Sequence, residues 1–417
     1  MNLSKSRYCR GLQCKKMLWL EANKPEQMED VNNESILEQG NLVHEVARYL
    51  FGNHINIKSS TELKDVYIND ASYQYYVLSN LGFDVTKCSI VVINNKYVRN
   101  GKIDLDKLFL KIDITSDVIS LQEKVKENIA DINEYMNNTN EPIDDIDIKC
   151  FTPYSCPFFK YCTRNLPNDN VFKIAKMFNR TKIKLYKLGK YTYQDLLNSD
   201  INEFQKQQIE FELYNKDDYI DKDGIKRFLD TLTYPLYFLD FETYQMPIPL
   251  YDRVKPYEQV PFQYSLHYIL EENDRLRHVE FLAEPGSDPR RSLAERVVQD
   301  SPKDVCTLAY NMSFEKTVIK NLANIYPDLS NHLMNIHDNM KDLMIPFKNR
   351  DYYTKEMDGS YSIKYVLPAL FPNDESLNYH NLDLIHNGSE AMNSYVNLEN
   401  MSEEDKEIGR ASCRERV

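Results

Sequence analysis

Asp240 and Glu242 close the apolar run Leu236-Tyr237-Phe238-Leu239, and their spacing is the feature of this chain best suited to chemistry. Strand side chains repeat every two residues, so both acids fall on one face while Leu239 and Phe241 turn toward a core. Two carboxylates on one face can close on a hard cation, and an Asp-x-Glu at a strand end can equally be a solvated terminus or a helix cap. A second segment, Leu308 to Glu315, passes from an apolar stretch through a polar turn at Asn311 into a helical pattern, and it contributes a third acid. Asp240, Glu242 and Glu315 together suit a pair of Mg²⁺ or Mn²⁺ ions roughly 4 Å apart, which activate water and stabilise the leaving oxygen in phosphodiester hydrolysis.

The elements that must position these acids are legible around them. Phe262, Tyr264, Leu266 and Tyr268 alternate with Gln263, Ser265 and His267, which predicts a half-buried strand beside the first. Ser292 to Val298 reads as a helix and Val305 to Tyr310 as the strand before the third acid. Asp342 either supports the acids from behind or simply caps its own element in solvent. Gly359-Ser360-Tyr361-Ser362-Ile363-Lys364 reads as a turn whose Lys364 touches phosphate or water. The expected fold is α/β, a mixed sheet flanked by helices.

With 64 acidic against 51 basic residues, the formal charge is −13, which argues against a protein that coats nucleic acid through clustered Lys and Arg. No Gly-rich phosphate loop is present, which sets aside phosphotransferase chemistry. No run of eighteen apolar residues and no apolar leader segment occur, so a soluble cytoplasmic protein without membrane association is expected. Of the eight cysteines, Cys150, Cys156 and Cys162 are evenly spaced, and Pro153 and Pro157 between them force turns that let three sulfurs gather. In a cytoplasmic chain these are thiols or metal ligands rather than disulfides.

Asp240-Phe241-Glu242 with Asn311-Met312-Ser313-Phe314-Glu315 resembles the first two motifs of the DEDD superfamily of 3′–5′ exonucleases. The resemblance implies an RNase H-like fold, with Asp240, Glu242 and Glu315 as catalytic metal ligands. Glu315 stands where those enzymes carry Asp, one methylene shorter. A wider likeness is carried by Leu3-Ser4-Lys5-Ser6, Gly11-Leu12-Gln13-Cys14, Leu18-Trp19-Leu20, Pro261 to Ile269, Gly359 to Lys364 and Val366-Leu367-Pro368. It is to a bacterial family that joins an iron–sulfur, RecB-like (PD-(D/E)XK-type) nuclease region to such an exonuclease domain.

That likeness implies that Cys14 joins Cys150, Cys156 and Cys162 around a [4Fe–4S] cluster, with Zn²⁺ as the alternative four-thiolate occupant and free buried thiols as the plain one. It also places His44, Lys58 and Gln74 on the remnant of the first nuclease core. The core's Glu-x-Lys reads Asn56-Ile57-Lys58 here, without its acid. Only residues 45–57 separate His44 from Lys58, too few for the two or three strands of about 5–6 residues that carry the metal-binding Asp. This first site is therefore expected to be inactive.

The expected organisation is an α-rich remnant of a PD-(D/E)XK-like α/β domain at 1–170, a helical connector at 171–230 and a DEDD-like domain at 231–406. The last segment, 407–417, resembles a translated sequencing adapter, and the final metal-binding acid of DEDD enzymes is expected beyond Met401. The function expected is a metal-dependent 3′–5′ exonuclease on DNA or RNA, weak in this chain. The alternative is a catalytically inactive nucleic-acid-binding or scaffold protein stabilised by its cluster.

Overall fold

The computed structural model describes residues 3–29, 34–51, 56–284 and 286–374, together with Tyr395. The expected tail at 407–417 and the acid expected beyond Met401 lie outside the described residues. The chain divides into two units by its internal contacts. One comprises Met1–Lys173, Met177–Leu196 and Met246–Tyr257; the other comprises Ile174–Lys176, Leu197–Gln245 and Glu258–Val417. No helix among the described residues is long and apolar enough to cross a membrane.

In the first unit, β1 (Asn56–Ile57) runs parallel to β2 (Ser89–Ile93), which pairs antiparallel with β3 (Phe109–Asp113). The run Ile90-Val91-Val92-Ile93 is apolar and β-branched without interruption, as a strand covered on both faces requires. Its period of two divides it cleanly. Val91 and Ile93 meet Val43, Ala47 and Leu108, whereas Ile90 and Val92 meet Ala71, Ile114 and Val118. Helices Lys5–Gln13, Asp65–Asn80 and Gln122–Met136 join through Tyr8, Tyr73 and Ile132. Gly11 lets two of these helices close up, since a Cβ there would lie 2.7 Å from Ile132 Cδ1.

In the second unit, a two-stranded ladder joins β4 (Tyr219–Ile220) to β10 (Tyr352–Tyr353). The main sheet holds β5 (Leu236–Tyr244), β6 (Val260–Ile269), β7 (Arg277–Leu282), β8 (Cys306–Ala309) and β9 (Met340–Asp342), in the order β7-β6-β5-β8-β9. Strands β5, β8 and β9 run parallel, and β6 is antiparallel to both of its neighbours. The fold is thus α/β with a mixed sheet flanked by helices, as the alternation of apolar runs predicts.

Tyr237, Leu239 and Phe241 of β5 share one core with Leu293, Val318, Ile319 and Leu333 from helices Arg290–Asp300, Ser313–Ile325 and Pro327–Asp338. Each such side chain contributes about 1.5–3 kcal/mol through burial. Strand β6 differs from the half-buried expectation. Gln263 and Ser265 are 1% and 2% exposed, each lying on a central strand between neighbours on both flanking strands: Glu242 and Leu282 for the first, Asp240 and Glu280 for the second. A single strand's alternation cannot reveal such cover, which depends on register.

Candidate active site

Strand β5 explains where Asp240 and Glu242 stand. It is paired with β6 along its length but with β8 only from Leu236 to Phe238, since the chain leaves β8 after Ala309. The two acids therefore lie at the carboxyl end of the parallel strands, where open α/β sheets bind ligands. Leu239 and Phe241 are buried, Asp240 is exposed and Glu242 is half-buried. A register shift between Glu242 and Thr243 interrupts the ladder at the second acid, the kind of irregularity that re-aims a side chain.

Glu315 sits in the first turn of helix Ser313–Ile325 and is 3% exposed. Its Oε2 atom is buried without a hydrogen-bond partner. Burial first, then the nearby charges of Asp240 and Asp342, push its pKa up to about 8 against a backbone hydrogen bond that lowers it. The structure thus brings Asp240 and Glu315 within electrostatic reach of each other and adds Asp342 to them.

Asp342 is 7% exposed, so it is neither a surface acid nor a cap in solvent. Its Oδ1 accepts from the N–H groups of Asn311, at 2.8 Å, and Met344, at 3.0 Å. Asn311 is left-handed (φ 66°), a conformation Asn tolerates better than most residues. Asp342 therefore holds the turn that aims Glu315. The Tyr310 hydroxyl donates to the Tyr361 carbonyl at 2.7 Å, which ties this turn to the Gly359–Lys364 segment. Among the described residues, no group of three or more His, Cys, Asp or Glu side chains is arranged to hold a metal ion.

Cys14, Cys150, Cys156 and Cys162 line one small cavity with Met17, Leu20 and Phe158. Cys14 lies between helices Lys5–Gln13 and Lys15–Asn23, where its sulfur accepts from the backbone N–H groups of Met17 and Lys16. The Cys156 sulfur accepts from the N–H of Phe158. Burial, with the other three thiols adding to it, pushes the Cys156 thiol up to about 12, and burial is the largest cause that lifts the Cys162 thiol to about 11. The cavity admits only about 10 Å³. Lys16, Asp144, Asp145 and Lys149 share the lining, with Cys14 Sγ donating to Asp144 Oδ2 at 3.7 Å; the four sulfurs are the donor types a four-thiolate group takes.

Lys58 and Gln74 both meet Asp70, an acid the sequence pattern did not mark out, whereas His44 lies within electrostatic reach of Lys58. Asp70 accepts from Lys58 Nζ at 2.6 Å and from Gln74 Nε2 at 2.9 Å. His44 has its pKa lowered by burial and by the charges of Arg48, Lys58 and Lys5. Asp70 and Gln74 are four residues apart on helix Asp65–Asn80, a spacing that puts them on one face and could have flagged the acid.

The family described as "Domain of unknown function (DUF2779)" matches residues 237–362, a stretch that contains Asp240, Glu242, Glu315 and Asp342 and none of the four gathered cysteines. No curated protein and no solved structure matches the chain.

Proposed function

We propose that the second unit is a metal-dependent 3′–5′ exonuclease acting on DNA or RNA, with Asp240, Glu242 and Glu315 as ligands of Mg²⁺ or Mn²⁺. The observation that carries this reading is Glu315: a buried carboxyl with an orphan oxygen, within reach of Asp240's charge at the carboxyl end of the sheet. Bound divalent ions would supply activation of water and stabilisation of the leaving oxygen. Asp240 would offer its carboxylate from the end of β5, Glu315 would serve as a ligand once its proton had passed to solvent, and Asp342 would keep the Asn311 turn in place.

In the first unit, Cys14, Cys150, Cys156 and Cys162 would hold a [4Fe–4S] cluster, or Zn²⁺, which acts as a staple between the beginning and end of that unit. The protein is proposed to work in the cytoplasm with nucleic acid as its partner. A second reading, an inactive nucleic-acid-binding or scaffold protein, is favoured by the lack of a metal-holding group among the described residues. Release of labelled nucleoside monophosphates from the 3′ end of single-stranded DNA and RNA, by the full chain and by Asp240→Ala, separates the two. The exonuclease reading expects Mn²⁺-dependent release, weak in absolute rate and at least about a hundredfold lower in the variant. No release by either protein would leave the scaffold, and equal turnover by both would overturn the exonuclease reading of Asp240.

A further inference from the structure

Arg350 is 8% exposed, and its guanidinium lies between the rings of Phe204, at 5.2 Å, and Tyr353, at 4.1 Å. Its Nη2 donates to the Gly359 carbonyl at 3.3 Å and to the Phe204 carbonyl at 3.5 Å, and its buried Nη1 has no hydrogen-bond partner. Among the described residues no carboxylate pairs with it. Burial lowers its pKa against a hydrogen bond with Tyr353 that raises it. Proteins keep a buried charge when it is paired, because desolvation otherwise outweighs what a few neutral contacts return. The backbone here is also left-handed (φ 66°), a strain that clusters at ligand sites when it falls on a residue with a long side chain.

Arg350 lines an open pocket of about 390 Å³ whose opposite wall is helix Glu203–Tyr214. Asn202 fixes the start of that helix with a capping box shared with Gln205. The same wall presents Lys206, which has no carboxylate partner among the described residues, whereas Lys216 is neutralised by Glu210 at 2.6 Å. Phe204 and Tyr219 leave about half of their surface open on this pocket. Two cations without carboxylate partners among the described residues and two open rings thus line the pocket, together with Glu203 and the Lys216–Glu210 pair.

We propose that this pocket binds a nucleotide, its phosphate held by Arg350 and Lys206 and its base laid against Phe204 or Tyr219. Arg presents several N–H donors in a fork matched to phosphate oxygens, Lys adds a point charge, and aromatic faces accept any base. The volume is that of a small-molecule site. Arg350 holds Gly359, and Tyr310 holds Tyr361, so an occupied pocket would also steady the turn beside the acids. The assignment is independent of the metal reading.

The test is calorimetry and thermal shift on the full chain with inorganic phosphate, adenosine 5′-monophosphate and adenosine at constant ionic strength. Saturable binding is expected in the order monophosphate, then phosphate, then adenosine. Lys206→Ala should weaken the monophosphate at least about tenfold. Arg350→Met should abolish its binding while the ligand-free melting temperature stays level or rises, because a buried unpaired charge has gone. Competition by a 5′-phosphorylated oligonucleotide would identify a nucleic-acid end as the source of the phosphate, and its failure would identify a free nucleotide. The proposal is overturned if wild type binds none of the probes, if adenosine binds as tightly as its monophosphate, or if Lys206→Ala binds like wild type. Should Arg350→Met fail to fold, the Lys206→Ala titration decides alone.

Discussion

Glu315 has a carboxyl group that its surroundings make reluctant to ionise, with a pKa pushed from 4.5 up to about 8 by burial, then by Asp240 and Asp342. Between those two values the folded chain holds a proton that the unfolded chain has released. Stability therefore falls as the pH rises through that window. The loss from this group alone is on the order of 4 kcal/mol. Glu315→Gln should flatten the dependence and make the metal-free protein more stable near pH 8, as urea unfolding at several pH values would reveal; an unchanged slope would place the proton elsewhere. Asp342→Ala leaves the N–H groups of Asn311 and Met344 without their acceptor, so a loss of roughly 1–3 kcal/mol is expected. Asp342→Asn keeps an acceptor and should recover most of it. If both variants unfold alike, the carboxylate's charge rather than its acceptor holds the turn. At this scale Asp240 and Glu242 were legible because period two is a local property. For Asp342 the sequence left support and capping open, since its burial and its bond to the distant Asn311 N–H are set by the fold.

The helices and strands set which of these side chains can meet. Gly11 is placed where a Cβ would collide with Ile132, so Gly11→Ala should force two helices apart and cost about 1–3 kcal/mol. A melting temperature equal to wild type would mean that Ile132 turns aside freely. The segment Cys150–Cys162 was readable as a thiol loop from its even spacing and its prolines. Its partner, Cys14, was supplied by family likeness, and the structure sets it on the same cavity wall. Anaerobically purified protein is expected to carry iron and sulfide, and Cys156→Ser to lose both together with visible absorbance. Zinc in their place would select the alternative occupant, and no metal at all would leave four buried thiols. Strand β6 shows where local pattern stops: Gln263 and Ser265 look solvent-facing in sequence, yet flanking strands cover them. Register also assembles the row Asp240, Ser265 and Glu280 across three strands, which no spacing along the chain announces.

Over the whole molecule, the charge of −13 leaves little general attraction for a phosphate backbone, so the proposed exonuclease would have to hold its substrate through bound cations and a few placed donors. The α/β class and the mixed sheet were legible from alternating apolar runs. The division into two units was less so, because Met246–Tyr257, inserted between β5 and β6, belongs with the first. Its Ile248 joins the core of Val43, Val91 and Leu108, a placement fixed by packing rather than by neighbouring sequence. The most direct test of the central claim, that Asp240, Glu242 and Glu315 share divalent ions, is calorimetric titration of Mn²⁺ into the full chain beside Asp240→Ala. Saturable binding by the wild type and its loss in the variant is the predicted result. Flat titrations for both, or identical binding by both, would contradict it.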